Sequence, residues 1–289
     1  MVYFPKADLY PIYYKRNGTM LPIENRKAVV GETGTVYAIV SDRYQLLLHE
    51  EAYEIVHDIL EKLNVKPIQV QEKVAFSRDG GLMHLTICVK EVEVADGDLV
   101  GLGFNVFNSY DASSALRFNA GGIRYVCSNG IIIPFTSLYA KIRRLIHVKG
   151  VIRKPSFDVI KETVEEILST LGDLADLLTL ATKETVSRSD LVHFIETTFS
   201  NVPALKEKIY NYLKHRLGID LTREVETYRK LRKEEILKFL ESIEDEEYNL
   251  WDTYNAFTDI LTHTRRVDLK TTVKLQEKVG EFLVAQITA

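Results

Sequence analysis

Residues 82–107 read LMHLTICVKEVEVADGDLVGLGFNVF and contain two apolar runs separated by a short polar sequence. The runs, Leu82–Val94 and Leu99–Phe107, are rich in the β-branched and aromatic residues that favour strands. Ala95-Asp-Gly-Asp98 lies between them and is typical of a tight turn, because Asp and Gly tolerate the backbone angles that turns require. The stretch therefore predicts two antiparallel strands joined as a hairpin.

The same period-two pattern extends to both sides of this hairpin and predicts more strands. One predicted helix interrupts the strands, because apolar residues recur three and four positions apart. Together these segments predict an antiparallel meander sheet with a packed helix in the N-terminal half. The predicted strands cover residues 35–41, 68–77, 115–119 and 122–128, and the helix covers residues 52–63.

After Pro134 the pattern changes to helical periodicity and predicts an all-helical C-terminal half, which includes one long charged helix over residues 220–247. Gly150–Pro155 combines glycine, basic residues and proline, so it is the best candidate boundary. The predicted fold class is α+β. The predicted division is an N-terminal arm (1–27), a strand-rich α+β domain (28–150) and a helical domain (151–289).

The composition is that of an ordinary globular protein, with 289 residues, 46% hydrophobic and 27% charged. No apolar run is long enough to span a membrane, and the first residues lack the apolar core of a signal peptide. We therefore expect a cytoplasmic protein with no membrane partner. Cys88 and Cys127 both lie in apolar runs, which favours buried thiols over a reactive pair.

The charge of the chain is unevenly distributed. The formal net charge is −4, yet residues 101–150 contain six Lys or Arg and only one Asp or Glu. A local basic region attracts anions whatever the net charge, because charge interactions are screened beyond about 8–10 Å at physiological salt. The basic region is typical either of a solvated surface or of a nucleic-acid contact.

Polar side chains of the predicted strands favour the second interpretation. Alternation places Arg117 and Asn119 on one side of their strand, where they share a solvent-facing sheet surface with Arg124 and Asn105. A shift of the strand register by one residue would bury the arginines instead. The sequence therefore predicts a cationic sheet surface that depends on the register.

Enzyme signatures are missing, which favours binding over catalysis. The chain contains no GxxxxGK[ST], GxGxxG, HExxH or GxSxG sequence, so no cofactor is predicted. Asp96, Asp98 and Asp111 are weak candidates for metal ligands in a phosphodiesterase, although aspartates in turns are more commonly structural.

Three motifs in the centre of the chain resemble one family. They are Asp96-Gly-Asp-Leu-Val100, Asn108–Arg117 and Ile123-Arg-Tyr-Val-Cys-Ser-Asn-Gly130. The matching family pattern has Asp-Gly-Asp, then Ser-His-Asp-Gly-Ser, then Arg-Val-Val-Cys-x-Asn. The sequence thus resembles the domain of unknown function 932, a family found in phage, prophage and plasmid genomes.

The resemblance runs from about residue 28 to the C-terminus. It includes Gly34–Tyr44 near the start, and Asn249–Thr258 with His263 near the end. Tyr110 stands where the family usually has His, and Ala112 where it has Gly. The resemblance implies a mobile-element context but no catalytic histidine at position 110.

The leading functional hypothesis is that the protein binds single-stranded DNA in recombination or strand annealing. Phosphates need Lys and Arg, and unpaired bases stack on aromatic or guanidinium faces. The alternatives are a protein-interaction or regulatory module without catalysis and, third, a metal-dependent phosphodiesterase. The candidate nucleic-acid-binding residues are Asn105, Phe107, Tyr110, Arg117, Asn119, Arg124, Lys141, Arg143, Arg144, Lys149 and Arg153.

The N-terminal arm is unusually aromatic. It contains Tyr3, Phe4, Tyr10, Tyr13 and Tyr14, followed by Lys15 and Arg16. Such a segment is commonly docked on its own fold or on a neighbouring subunit. We therefore expect a homo-oligomer.

Overall fold

The centre of the fold is a five-stranded antiparallel sheet, curled into a half-barrel, with the strand order β4-β5-β6-β7-β8. A computed structural model describes residues 2–66, 72–111, 116–125, 129–133, 157–244, 246–264 and 267–288. The strands of the central sheet are β4 (Lys73–Phe76), β5 (Leu82–Ala95), β6 (Asp98–Ser109), β7 (Arg117–Arg124) and β8 (Asn129–Ile133).

The predicted hairpin over residues 82–107 is confirmed as strands β5 and β6. Ala95 pairs with Asp98, and Gly97 at the turn has a φ of 70°, a left-handed conformation that favours glycine. At position 103 of β6 the reason for glycine is steric. A Cβ at Gly103 would lie 1.9 Å from the carbonyl oxygen of Ile87. Close approach of two strands therefore explains why β6 contains glycine.

The other elements flank this sheet in chain order. Their bounds are β1 (Ala7–Arg16), β2 (Thr19–Gly31), β3 (Val36–Ser41), α1 (His49–Lys62), α2 (Phe157–Ala181), β9 (Thr185–Ser187), α3 (Arg188–Thr198), α4 (Pro203–Tyr212), a π-helical turn (Leu213–Leu217), α5 (Thr222–Tyr228), α6 (Lys233–Leu240), β10 (Glu247–Asn249), α7 (Leu250–His263) and α8 (Leu269–Thr288).

The predicted fold class, α+β with one meander sheet and an all-helical C-terminal half, is wrong. The described residues form a mixed α/β arrangement of three antiparallel sheets, with helices mostly in the C-terminal half. Strand β1 and most of β2 come from the predicted arm and form a separate sheet with β3, and β9 pairs with β10 among the helices. Short strands such as β9 and β10, of three residues each, are too short to show a period-two pattern.

The predicted long helix over residues 220–247 is also wrong. It is divided into α5, α6 and β10, and Arg232 between the two helices has an extended backbone (φ −79°, ψ 158°). The backbone N–H of Arg232 donates to the Glu235 carboxylate at 2.8 Å, which caps the start of α6. The helical periodicity of a charge-rich sequence does not indicate that a second helix begins within it.

The main core draws buried side chains from both halves of the chain. Helices α1 and α2 pack on the sheet face that carries Leu85, Leu102 and Phe104, and residues of α7 and α8 join the same cluster. The predicted division into residues 1–27, 28–150 and 151–289 stays a prediction, because Gly150–Pro155 lies outside the described residues.

Two further predictions concern cysteine and membranes. Cys88 is buried as predicted, and burial raises the pKa of its thiol to about 12, while Cys127 lies outside the described residues. Every helix in the described ranges is too short or too polar to cross a bilayer.

Candidate nucleic-acid interface

The predicted cationic sheet surface is covered by the last helix. Arg117 and Asn119 lie on one face of β7, and both bind Glu277 of α8, at 2.9 and 2.7 Å. Asn119 is only 5% exposed and Asn105, its cross-strand partner, 1%. The expectation of a solvent-facing surface is therefore corrected: α8 lies on this face and supplies a carboxylate to the polar groups.

Arg124 points to the opposite face, away from Arg117. Residues 117–124, which include parts of both predicted short strands (115–119 and 122–128), form one continuous strand, β7, and residues seven apart in a strand face opposite sides. The Arg124 guanidinium pairs with Asp98 at 2.7 Å, and the Trp251 indole N–H donates to the same carboxylate at 2.8 Å. Although burial raises the pKa of Asp98, the bonds from Arg124 and Trp251 lower it below its usual value. This cluster connects the sheet to α7.

The weak metal candidates do not come together. Asp98 is held by Arg124, Asp111 pairs with Lys270 of α8 at 3.1 Å, and Asp96 is exposed in its turn. Among the described residues, no group of three or more His, Cys, Asp or Glu side chains is arranged to hold a metal ion.

The two aromatic candidates of the sheet are buried. Phe107 is stacked on His84 at 4.5 Å and covered by the Arg117 guanidinium at 4.8 Å. Tyr110 accepts a hydrogen bond from the His49 backbone N–H and donates to the Pro5 carbonyl, each at 2.9 Å. Neither ring offers a free face for a base in this structure.

Two neutral histidines, which the sequence did not indicate, complete these buried networks. The His49 ring stacks on Tyr110 at 3.8 Å, donates from Nε2 to the Gly80 carbonyl and accepts from Asn108 at Nδ1. His84 donates to the Asn105 side-chain oxygen at 2.9 Å. Burial lowers the pKa of both imidazoles to about 4, so both are uncharged at neutral pH.

Five predicted cations cannot be placed. Lys141, Arg143, Arg144, Lys149 and Arg153 lie outside the described residues, so their contact with nucleic acid stays a prediction.

An exposed aromatic and basic surface occurs instead on the hairpin of β1 and β2, here called the Tyr hairpin (residues 7–31). Its base packs on the fold through Ala7, Leu9 and Val29. From residue 13 to residue 26 nearly every side chain is exposed. A two-stranded hairpin with both faces in water is marginally stable, so its apolar side chains gain little from folding alone.

The alternation of side chains along β1 places a tyrosine and a cation on each face of the tip. Tyr14 and Arg16 share one face, while Tyr13 and Lys15 share the other, since side chains alternate along β1. Tyr13 and Tyr14 are 51% and 45% exposed. Each face therefore presents one aromatic ring beside one positive charge.

Local sequence explains this shape. Asn17 and Gly18 both have positive φ, 47° and 85°, as a two-residue hairpin turn requires. The Asn-Gly pair between an aromatic segment (residues 10–14) and an apolar one (residues 20–23) is the signal that could identify the hairpin from the sequence.

Comparison with known proteins gives one match. The family model described as Domain of unknown function (DUF932) matches residues 36–280, which is most of the chain. No curated protein and no solved structure matches significantly. The Tyr hairpin precedes the matched residues, whereas the Asp98, Arg124 and Trp251 cluster lies within them.

Proposed function

The chain belongs to the DUF932 family, a domain of unknown function, and we propose from its geometry that it binds single-stranded nucleic acid through the Tyr hairpin. The observation that carries the proposal is the pairing of an exposed tyrosine with a cation on each face of the tip. Single strands suit this surface, because their bases have free π-faces and their phosphates are close by.

The charge of the hairpin supports the same proposal. Residues 7–31 contain Lys15, Arg16, Arg26 and Lys27 against two carboxylates, in a protein of net charge −4. Local positive charge attracts phosphates, and exposed tyrosines add stacking that phosphate contact alone lacks. Function in recombination or annealing, and a mobile-element context, remain parts of this proposal.

A protein-interaction module is the second candidate, supported by apolar exposure on the same sheet. Val36 and Ile39 of β3 are 60% and 63% exposed, and Met20 of the hairpin is 58% exposed. Exposed apolar patches mark interaction sites, so a second copy of the chain could bind here, as the expected homo-oligomer requires. Light scattering with and without a single-stranded oligonucleotide separates the two candidates.

We expect the double substitution Tyr13→Ala, Tyr14→Ala to weaken binding of a labelled single-stranded oligonucleotide by at least about 30-fold, since stacking contributes about 1–3 kcal/mol per base. Fluorescence anisotropy measures the affinity. Tyr3→Ala is the matched control, because Tyr3 is exposed but bonds to Glu32 at the base of the sheet. Emission of the single tryptophan, the buried Trp251, checks that each variant is folded.

We expect Lys15→Ala, Arg16→Ala to flatten the dependence of log affinity on log salt by about 1.4, because each phosphate contact on a single strand contributes about 0.7. Lys230→Ala, Lys233→Ala in the helical half is the control for a loss of two positive charges. An unchanged salt slope in the hairpin variant, or an equal change in the control, would overturn the proposal.

A further inference from the structure

A second basic surface lies far along the chain from the Tyr hairpin, in a shallow, open cavity of about 410 Å³. Its walls are α4 with the π-helical turn on one side and the end of α7 on the other. The polar lining consists of Lys208, Asn211, His215, Arg216, Asp259 and His263, together with Thr264. A volume of this size is within the range of small-ligand sites, about 300–1,000 Å³.

The π-helical turn explains how two basic residues reach this cavity together. In an α-helix Asn211 would share its face with His215, four positions on. The wider π turn over Leu213–Leu217 also brings residues five apart onto one face, so Arg216 joins His215 beside Asn211. Short π-helical segments are rare and occur frequently at functional sites.

Several cations of the helical half are held in ion pairs. Arg188 pairs with Glu224, Arg229 pairs with Glu207, and Lys214 pairs with Asp220. In the described part of the chain, by contrast, no carboxylate lies within ion-pair distance of Lys208 or Arg216.

Among the described residues that line the cavity, the single carboxylate is already engaged. Asp259 lies 3.5 Å from His263 on the same helix. The cavity therefore presents the Lys208 amine, the Arg216 guanidinium and the His215 imidazole, a donor set that binds a tetrahedral oxyanion.

We infer that this cavity binds a phosphate group, carried by a free phosphate compound or by the end of a nucleic-acid strand. Arg216 supplies a planar pair of N–H donors, and Lys208 a point charge from the neighbouring turn of α4. His215 is a further N–H donor from the π-helical turn, whereas the His263 ring on the opposite wall faces Asp259. The inference does not depend on the Tyr hairpin.

The test is titration of the full chain with inorganic phosphate, followed by NMR of the histidine rings, with sodium chloride at equal ionic strength as the reference. We expect saturable shifts at His215 and His263, and Arg216→Ala to weaken phosphate binding at least about tenfold, because charge-assisted hydrogen bonds are the strong ones. Lys214→Ala lies on the same π turn and removes a cation paired with Asp220, so it is expected to change the affinity less than about twofold.

The source of the phosphate is distinguished by two further ligands, a dinucleotide with and without a 5′-phosphate. Stronger binding of the phosphorylated form than of inorganic phosphate identifies a strand end, and the reverse identifies a free phosphate compound. The Tyr13→Ala, Tyr14→Ala variant should bind inorganic phosphate normally, which separates this site from the hairpin. The absence of saturable shifts in the unmodified protein, or an equal loss in Arg216→Ala and Lys214→Ala, would overturn the inference.

Discussion

Replacing Arg124 by alanine is expected to lower the free energy of unfolding by about 3 kcal/mol or more, because it leaves a buried carboxylate without its cation. The Asp98 side chain is 9% exposed, and after the substitution only the Trp251 N–H would remain of its described partners. The substitution also removes an ion pair between β6 and β7 and leaves the Trp251 contact as the remaining polar bond from Asp98 to α7. Urea unfolding followed by circular dichroism measures the change.

Arg117→Ala is the matched control for this prediction. Its side chain is 41% exposed, and its partner Glu277 keeps the hydrogen bond from Asn119. Exposed ion pairs contribute about 0–1 kcal/mol, so the cost should be well below that of Arg124→Ala. Equal costs for the two variants would show that the Asp98 cluster does not hold the sheet to the helices.

Acidification from pH 6.5 to pH 4.5 is expected to destabilise the protein by up to about 2.7 kcal/mol per pH unit, the value for two protons taken up on unfolding. The ordinary histidine pKa is 6.5, and burial lowers the pKa of His49 and His84 to about 4 in the folded state. In this window the unfolded chain binds protons that the folded chain excludes. The contribution of the two neutral histidines to stability is therefore fully present above pH 6.5 and is lost as the pH falls towards 4.

Carboxylates add to the loss mainly at the acid end of this range and below it, because the pKa values of Asp98 and Glu196 are lowered from 3.8 and 4.5. Urea unfolding at half-unit steps of pH gives the slope, and His49→Gln should remove about half of it. A free energy of unfolding that stays constant between pH 6.5 and 4.5 would contradict the buried neutral state of both rings.

The β5–β6 hairpin could be predicted from the sequence because all of its determinants are local. Alternation, β-branched residues and the Asp-Gly-Asp turn occur within 26 consecutive residues, 82–107. The family resemblance was predictable for the same reason, since its motifs are short. The Tyr hairpin is equally local, with its turn at Asn17-Gly18, although the prediction for these residues is an arm.

The burial of the predicted sheet surface could not be derived in this way. Glu277 covers Asn119 from 158 positions along the chain, and no local pattern indicates which face a distant helix will cover. The opposite orientations of Arg117 and Arg124 depend on one continuous β7, whereas two separate short strands were predicted. Because α8 covers the predicted sheet surface, the exposed Tyr hairpin is the better candidate interface.

Hydrogen exchange of the full chain, with and without a single-stranded oligonucleotide, tests the central claim most directly. The tip of the Tyr hairpin has only two strands and no core, so its amides should exchange rapidly in the free protein. We predict that the oligonucleotide slows exchange at residues 13–26 by at least about tenfold, while β6 and β7 remain unchanged. Protection confined to β6 and β7, or no protection at residues 13–26 under saturating oligonucleotide, would contradict binding by the hairpin.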